Sequence, residues 1–396
     1  MPINITLIEP FFTGSHAAWA TEYAQHSEHN VDILSLSGNY WKWRMHGGAV
    51  TLARKLLASD ALPDLLLVTD MLDLTTFLAL TRHKTARLPV AIYFHENQLC
   101  YPWSPKDRDI LQKREHHYGF INYSSALAAD LVVFNSTYHY TAFFDELPRF
   151  LKQFPDPNEL GTVATIQAKS CVLHLGLDLQ KFDRPEFQQV RQDAPDPAPL
   201  ILWNHRWEYD KNPEEFFQAL FRLNEQGLDF RVAILGKHFR QQYPIFETAR
   251  KTLGDKVVHY GYVEDFAHYA QWLHRADIIP MTSRQEFFGA SLVEALYCSC
   301  YPVLPKRLTY PELLPYETYP DIFYQNFDDL VEKLAGALLS IGTIRQQCFR
   351  HCVEQYTWQK MAPVYDSIFG AAKIRGQVST IDRIRQVVKS GDLTPF

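Results

Sequence analysis

Short apolar runs alternate with helical patterns along almost the whole of this 396-residue chain. Continuous apolar runs separated by crossover helices are typical of parallel strands that are covered on both faces. The predicted fold class is therefore α/β, with two doubly wound parallel sheets. The predicted strands are residues 3–12, 31–36, 64–69, 90–95, 131–135 and 171–175 in the first half, and residues 200–204, 230–235, 257–260, 278–281 and 301–304 in the second half.

A segment rich in proline and charged residues, residues 184–199, separates the two halves. This composition favours an exposed linker, so we predict one domain at residues 1–183 and another at residues 200–357. Residues 358–396 are predicted to form a C-terminal helix and basic tail that pack back on the first domain. Because ligands of doubly wound sheets bind beyond the carboxyl ends of the strands, two such domains facing a cleft would bring two ligands together.

Composition excludes several classes of protein. The formal net charge of −6 argues against a general polyanion binder, so any nucleic-acid contact must use local basic patches. No apolar run approaches the roughly 20 residues of a membrane span, and the N-terminus lacks the basic region of a signal peptide. We therefore expect a cytoplasmic protein with no membrane contact and no obligate protein partner. No cysteine pair has the C-x2-C spacing of a zinc site, which favours free thiols.

The stretch from Asp277 to Pro305 predicts an anion site. A predicted strand is followed by a turn containing Gly289 and by a helical pattern that begins near Ala290. Free N–H groups and the helix dipole favour an anion at such a helix start, and a glycine lets the backbone approach it. Glu286 and Glu294 flank the turn, and carboxylates beside an anion site indicate hydroxyl groups that donate to them. A ligand with phosphate in its middle and hydroxyls at both ends is a nucleotide sugar.

Two cations follow the first predicted strand of the second half. Arg206 and Lys211 precede a predicted helix start, where a guanidinium fork and a compact ammonium can both pair with a diphosphate. The alternative is surface ion pairing with Glu208, Asp210 or Glu214. The two carboxylates across the neighbouring turn favour the diphosphate interpretation.

These residues carry a family resemblance that covers nearly the whole chain. E-F-F-G-A-S-L-V-E (286–294) resembles the E-x7-E motif of retaining GT-B glycosyltransferases, and Arg206 and Lys211 stand where that family has its Arg/Lys pair. H-L-G-L-D (174–178) with Phe182 is similar to the family's G-V-D…F segment. A narrower similarity is to the tRNA-queuosine α-mannosyltransferase branch, through the segments E-P-F-F-T-G-S-H (9–16), Y-W-K-W-R (40–44), Y-F-H-E-N-Q-L-C-Y-P (93–102), W-N-H-R-W-E-Y-D-K-N-P (203–213) and E-F-F-G-A-S-L-V-E-A-L-Y-C-S-C-Y-P (286–302).

The resemblance implies a GT-B fold, with an acceptor-side first domain and a nucleotide-sugar-binding second domain. It implies transfer of a mannosyl group, with retention, from GDP-mannose to queuosine at the wobble position of tRNA. The residues themselves do not distinguish mannose from its epimers. Two alternatives stay open: the same fold acting on a glycan, lipid or small-molecule acceptor, and a non-catalytic module that binds a nucleotide sugar or RNA.

The resemblance also assigns roles in donor binding and catalysis. Glu286 should contact the sugar hydroxyls and Glu294 the ribose. Since negative charge grows on the phosphate as the sugar–phosphate bond breaks, Arg206 and Lys211 should act mainly on the transition state, and His95 should contact the sugar or the acceptor. The implied catalytic residues are Glu286, His95, Arg206 and Lys211, and the implied donor-binding residues are Gly14, Arg206, Lys211, Tyr262, Glu286, Phe288, Gly289, Ala290 and Glu294.

No cofactor and no metal ion are expected, because Arg206, Lys211 and the helix dipole can replace a metal. Asp107-Arg108-Asp109 has the D-x-D form that another glycosyltransferase fold uses for metal binding. It lacks a preceding apolar strand, so we expect it on a solvated charged face.

Acceptor contacts are expected from aromatic and basic residues of the first domain, because single-stranded bases are commonly held by stacking and phosphate contacts. Without the resemblance, core aromatics and a solvated basic face would be the favoured interpretation. The implied acceptor-binding residues are His16, Trp41, Trp43, Arg44, Asn97, Tyr101, Arg108, Lys113 and Arg114.

Overall fold

The computed structural model of the chain describes residues 1–60, 62–104, 107–112, 116–192, 198–237 and 243–372. The chain divides into two compact units. The first unit contains residues 1–177 and the helix that begins at Trp358, and the second contains residues 178–357. The chain therefore leaves the first unit after Leu177 and returns to it at Trp358. Within the described ranges, no helix combines the length and the apolar character needed to cross a membrane.

A six-stranded parallel sheet forms the centre of the first unit. Its strands are β1 (Asn4–Phe12), β2 (Asn30–Ser37), β3 (Leu65–Thr69), β4 (Val90–Phe94), β5 (Leu131–Phe134) and β6 (Ser170–Val172). Their order in the sheet is β2-β1-β3-β4-β5-β6, and every pairing is parallel. The direction of winding reverses between β1 and β3, so the carboxyl ends of these strands form the switch point at which such sheets bind ligands.

The second unit is built on another six-stranded parallel sheet. Its strands are β7 (Leu200–Asn204), β8 (Arg231–Leu235), β9 (Val257–Gly261), β10 (Ile278–Pro280), β11 (Tyr301–Pro305) and β12 (Phe323–Tyr324). Their order is β12-β11-β10-β7-β8-β9, which is the order 3-2-1-4-5-6 when the strands are counted from β7. This is the doubly wound dinucleotide-binding arrangement, with its switch point between β7 and β10.

Helices connect the strands of both sheets and cover their faces. They are α1 (Gly14–His26), α2 (Trp41–Leu57), α3 (Leu74–Thr85), α4 (Arg108–Leu111), α5 (His116–Ala128), α6 (Thr137–Leu151), α7 (Thr162–Ala168), α8 (Pro185–Gln192), α9 (Pro213–Glu225), α10 (Pro244–Leu253), α11 (Phe266–Arg275), α12 (Ala290–Tyr297), α13 (Tyr310–Leu313), α14 (Phe327–Leu339), α15 (Ile341–Ile344), α16 (Arg350–Val353) and α17 (Trp358–Ala372).

Continuous apolar sequence explains the central strands of the first sheet. Every residue of β3, β4 and β5 is buried, because helices lie on both faces of the sheet and neither face needs polar side chains. Leu66, Ile92 and Phe134 belong to one apolar cluster with residues from α2, α3 and α6. Burial of each such side chain stabilises the fold by about 1.5–3 kcal/mol relative to exposure.

The C-terminal helix α17 is part of the first unit because its buried face bonds to α1 and to the residues that follow it. Asp366 accepts hydrogen bonds from the Tyr23 hydroxyl (3.0 Å), the Ser27 hydroxyl (2.6 Å) and the backbone N–H of Glu28 (2.7 Å). The Trp19 indole donates to the Tyr365 hydroxyl at 3.1 Å. Residues 373–396, which contain the predicted basic tail, lie outside the described residues.

The structure differs from the sequence predictions at the junction between the units. Residues 185–192 were predicted to lie in an exposed linker, but they form helix α8 of the second unit. The physical reason is Phe187, which is buried with its ring 6.1 Å from that of Phe266 in α11. The sequence also missed β12, a strand of only two residues.

Candidate functional site

The loops that follow β7 and β10 meet at the switch point of the second sheet. Lys211 ends a single 3-10 turn (Tyr209–Lys211) after β7, and its Nζ lies 2.9 Å from Glu286 Oε2 and 3.4 Å from Asp210 Oδ2. The Thr282 hydroxyl donates to the backbone oxygens of Lys211 (3.0 Å) and Asn212 (3.1 Å). These bonds fix the Lys211 ammonium beside the Glu286 carboxylate.

The two cations of this loop occupy different environments. Burial lowers the pKa of Lys211, but the charges of Glu286 and Asp210 outweigh burial and raise the pKa above its ordinary value, so the ammonium stays charged. The Arg206 side chain is 49% exposed and lies 3.1 Å from Glu208 and 3.8 Å from Asp210. The site therefore offers one deep, fixed cation and one outer cation in contact with solvent.

The first turn of α12 supplies backbone donors beside these cations. Its N-cap is Gly289, with φ 93°, so no side chain caps the helix and its first N–H groups favour an anion. A Cβ at Gly289 would stand 3.4 Å from Leu313 Cδ1, a tolerable contact, so glycine is required here by the left-handed backbone more than by space.

The other carboxylate of the motif is bonded by a half-buried tyrosine. The Tyr269 hydroxyl, on α11, donates to Glu294 Oε2 at 2.7 Å. Burial and the charge of Glu294 raise the pKa of Tyr269 well above its ordinary value, so the hydroxyl stays a donor. One Glu294 oxygen is thus fixed in place, which orients the carboxylate.

A buried histidine joins β7 to α12. His205 Nδ1 lies 3.1 Å from the Ser291 hydroxyl, and the Asn204 amide donates to the Ser291 backbone oxygen at 3.0 Å. Burial and the positive charges of Lys211 and Arg206 lower the pKa of His205 to about 3. The imidazole is therefore neutral, and its contact with Ser291 supports the first turn of α12.

In the first unit, polar side chains gather at the carboxyl ends of β1, β3 and β4. His16, on the first turn of α1, has Nδ1 3.0 Å from Glu9 Oε2. The ring of His95, which follows β4, stands 4.4 Å from the His16 ring and edge-on to Trp19 at 4.6 Å. Asp70, which follows β3, accepts the backbone N–H of His95 at 2.8 Å.

The two histidines of this cluster differ in charge. Burial lowers the pKa of His16, but the carboxylates of Glu9, Asp70 and Glu96 outweigh burial and raise it to about 9. Burial and the charge of His16 instead lower the pKa of His95 well below its ordinary value. A charged imidazolium thus lies beside a neutral imidazole, whose buried Nε2 has no hydrogen-bond partner among the residues that the structure describes.

The same cluster has the donor types of a metal site. Among the described residues, Glu9, His16 and His95 offer ligand atoms that all lie within 4.8 Å of one another. Two imidazoles and a carboxylate are a donor set that zinc accepts. The ion pair of Glu9 with His16 explains their approach without a metal, and metal removal separates the two interpretations below.

Two family models match most of the chain. Residues 4–177 match the model of the tRNA-queuosine alpha-mannosyltransferase N-terminal family, and residues 185–337 match that of glycosyl transferases group 1. A tRNA-queuosine alpha-mannosyltransferase of Drosophila melanogaster is 34% identical over 374 residues, which cover 92% of this chain and 96% of that protein. The chain belongs to the tRNA-queuosine α-mannosyltransferase family.

More distant relatives resemble this family member in part of the sequence or in fold. A GDP-mannose-dependent alpha-(1-6)-phosphatidylinositol dimannoside mannosyltransferase of Mycobacterium tuberculosis is 26% identical over 206 residues, which cover 50% of the chain and 52% of that protein. The structure of a sucrose-phosphate synthase from Thermosynechococcus elongatus matches with a TM-score of 0.70 at 14% identity, covering 93% of this chain and 99% of that one. A glycosyltransferase from Rickettsia africae matches with a TM-score of 0.65 at 15% identity, covering 95% and 100%. The predicted α/β class and GT-B fold are confirmed.

In this family member, the predicted donor residues of the second unit lie mostly together. Glu286, Lys211, Gly289 and Ala290 surround the switch point, with Arg206 at its outer side. Phe288 contributes backbone only, because its ring is buried against Tyr356 at 5.2 Å. Tyr262 follows β9, is 56% exposed and has the Lys237 ammonium 5.8 Å from its ring.

In the first unit, Gly14 begins α1 with φ 53° and open space at its Cβ position. It lies two residues before His16, on the same first turn of α1. Asn97 is buried, and its Oδ1 accepts the backbone N–H groups of Leu99 and Cys100. The backbone N–H of Tyr101 donates to the Asn97 backbone oxygen at 3.2 Å.

The aromatic residues predicted for the acceptor separate into a packed group and an exposed one. Trp41 packs against Trp103 and Tyr118 at centroid distances of 5.9 and 5.2 Å. Trp43 is 63% exposed, and Arg44 donates from Nε to the Ser37 backbone oxygen at 3.0 Å.

The predicted basic residues of this region are only partly described. Arg108 is exposed at the start of α4, whereas Lys113 and Arg114 lie outside the described residues. The solvated face expected at Asp107 and Asp109 is only partly exposed: their side chains are 22% and 20% exposed, and both carboxylates lie 2.5 Å from the Lys42 ammonium.

Several residues of the site were missed from the sequence. Polar residues at the carboxyl ends of predicted strands were a usable signal for three of them, because those ends form the ligand-binding edge. These three are Glu9, Asp70 and His205. For Tyr269, the sequence carries no signal beyond a place on a predicted helix. Asp210 was named from the sequence only as a possible surface ion-pair partner, and it pairs with Lys211 as a buried carboxylate.

Proposed function

We propose that this chain is a retaining hexosyltransferase that moves a mannosyl group from GDP-mannose to queuosine at the wobble position of tRNA. Family membership supports the reaction class and the acceptor. The observation that carries the chemistry is the largely buried ion pair of Lys211 and Glu286 beside the start of α12, which no side chain of its N-cap residue caps. A donor diphosphate and a sugar ring require these two kinds of group side by side.

In this proposal, each group of the second unit has one task. Lys211, Arg206 and the first N–H groups of α12 bind the diphosphate and stabilise the charge that grows on it as the glycosidic bond breaks. Glu286 accepts hydrogen bonds from the sugar hydroxyls, and Glu294, oriented by Tyr269, accepts those of the ribose.

The first unit supplies a charged and a neutral imidazole. The His16 imidazolium and the N-terminus of α1 favour a phosphate, with Gly14 leaving space for its approach. His95 is neutral, so its unpartnered Nε2 can bond to a hydroxyl of the sugar or the acceptor.

We favour attack by the acceptor hydroxyl on the face from which the diphosphate departs. The C–O bond to the acceptor forms as the bond to the phosphate breaks, and the departing phosphate oxygen takes the hydroxyl proton. Both substrates are the partners we assign, and a tRNA acceptor favours a cytoplasmic location.

The direct test is incubation of the protein with GDP-mannose and queuosine-containing tRNA, followed by digestion to nucleosides and mass spectrometry. We expect queuosine to gain the mass of one hexosyl residue, while tRNA with guanine at the same position stays unchanged. Transfer to a glycan or lipid instead would indicate a different acceptor. Binding of GDP-mannose without transfer to any acceptor would indicate a non-catalytic module.

Removal of divalent metal ions is expected to leave this activity intact, because Lys211, Arg206 and the helix dipole supply the positive charge that a metal would provide. The measurement is initial rate before and after EDTA treatment and gel filtration. Loss of activity restored only by Mg²⁺ would contradict the metal-independent mechanism. Loss restored only by Zn²⁺ would indicate that Glu9, His16 and His95 hold a required ion.

A further inference from the structure

Lys42, on the first turn of α2, is enclosed by groups that recognise a cation. Its Nζ lies 2.5 Å from Asp107 Oδ1 and 2.5 Å from Asp109 Oδ2. The same atom stands 5.6 Å from the ring centre of Trp41, 5.2 Å from that of Trp103 and 6.0 Å from that of Tyr118. Two carboxylates and three rings around one ammonium are the features of an aromatic cage for organic cations. We call these five residues the cation cage.

The cation cage is accessible from solvent. The side chains of Lys42, Asp107 and Asp109 are 31%, 22% and 20% exposed, so a ligand can reach them from solvent. The hydrogen bond from Lys42 lowers the pKa of Asp109, and the Tyr118 hydroxyl donates to the same carboxylate at 3.1 Å. Without Lys42, the two carboxylates would present a charge of −2 to a ligand.

The cage is continuous with the histidine cluster at the edge of the first sheet. Trp41, Trp103 and Tyr118 belong to one apolar cluster with Phe11, near the carboxyl end of β1. The Phe11 ring also stands edge-on to His16 at 6.1 Å. One apolar cluster therefore connects the cage to the residues around His16.

The surface beside the cage fits a nucleic acid. Tyr40, the N-cap residue of α2, has a left-handed backbone conformation. This conformation costs a non-glycine residue about 1–3 kcal/mol and is often found at functional sites. Its side chain is 81% exposed, and that of Trp43 is 63% exposed. Exposed rings flanking a cation site provide stacking surfaces for bases.

We infer that the cation cage binds the protonated secondary amine of the acceptor nucleoside, and that Lys42 holds the place of this amine in the free protein. The inference rests on the proposed function, because queuosine carries its cyclopentene hydroxyls on a ring joined to the base through such an amine. An ammonium fixed by Asp107 and Asp109 would orient that ring next to His95. The displaced Lys42 ammonium is then available to a tRNA phosphate.

The test compares two kinds of variant in a binding assay. Dissociation constants are measured by fluorescence anisotropy for queuosine-containing tRNA and for the same tRNA with guanine at that position. Their ratio gives the preference for queuosine. In the double variant Asp107→Asn with Asp109→Asn, we expect this preference to fall by about tenfold, since a partly desolvated cation–π and ion-pair site is lost. Asparagine keeps the cap that Asp107 provides for α4.

Lys42→Met is the matched control and is expected to have the opposite effect. It removes the internal competitor, so the preference for queuosine should be kept or increased. If Lys42 only fastens the 107–109 segment to α2, both variants should lose the preference alike, and that result would overturn the inference. Single substitutions at Asp107 and Asp109 provide the same comparison if the double variant does not fold.

Failure of the inference about the cation cage can be distinguished from failure of the proposed function. If the wild-type protein does not transfer a hexosyl group to queuosine, the proposed function fails. If it does, and the preference for queuosine is unchanged in the double variant, only the inference about the cation cage fails.

Discussion

Replacement of Glu286 by glutamine is expected to lower the turnover of mannosyl transfer by about 10²–10³-fold, the usual cost of losing one preorganised polar contact to the transition state. Glutamine preserves the shape of the side chain and can still accept a bond from Lys211. It removes the charge that binds the sugar hydroxyls and balances the buried ammonium. The measurement is kcat and KM for GDP-mannose with a saturating tRNA acceptor.

Glu294→Gln is the matched control for this substitution. Because Glu294 is assigned to the ribose, which does not react, its loss should raise KM for GDP-mannose with little change in kcat. Wild-type turnover in Glu286→Gln would refute the assigned site. An equal loss of kcat in both variants would refute the division of tasks between the two carboxylates.

Replacement of Lys211 by methionine is expected to damage both activity and stability. Asp210 and Glu286 would lose the cation between them, and an uncompensated buried charge typically costs about 3 kcal/mol in the free energy of unfolding. Loss of the deep phosphate contact should also lower kcat/KM by about 10²-fold or more. Scanning calorimetry and steady-state kinetics measure the two effects.

Arg206→Met is the control that removes a phosphate-binding cation without leaving a buried carboxylate unpaired. The Arg206 side chain is half exposed, and exposed ion pairs contribute at most about 1 kcal/mol, so this variant should unfold like the wild type while its kcat/KM falls. Equal destabilisation of both variants would show that Lys211 does not act as a buried counterion.

Strand periodicity and helix starts could be predicted from the sequence because they depend on neighbouring residues. The apolar runs identified eleven of the strands in these two sheets, while β12 is too short to form a pattern. Gly289 before an apolar helical stretch predicted the start of α12. The carboxylates of Glu286 and Glu294 were then assigned to the site because they flank this turn.

The partners of those side chains could not be predicted, since they come from distant elements. Tyr269 reaches Glu294 from another helix, and Glu9 approaches His95 only because β1 and β4 end at the same edge. Lys42 lies 65 residues before Asp107, so the charged stretch at 107–109 looked solvated. Phe187 was similarly hidden within a segment whose prolines and charges favoured a linker.

Because α17 belongs to the first unit, that unit cannot complete its fold until the second unit has been synthesised. Tyr23 and Ser27 emerge from the ribosome early, yet their partner Asp366 is made more than 300 residues later. Every residue of the second unit is synthesised in between. Because domains fold as units during synthesis, the second unit can complete its fold while α1 still exposes the face that α17 will cover. The nascent chain must therefore keep that apolar face from aggregating until α17 has been synthesised.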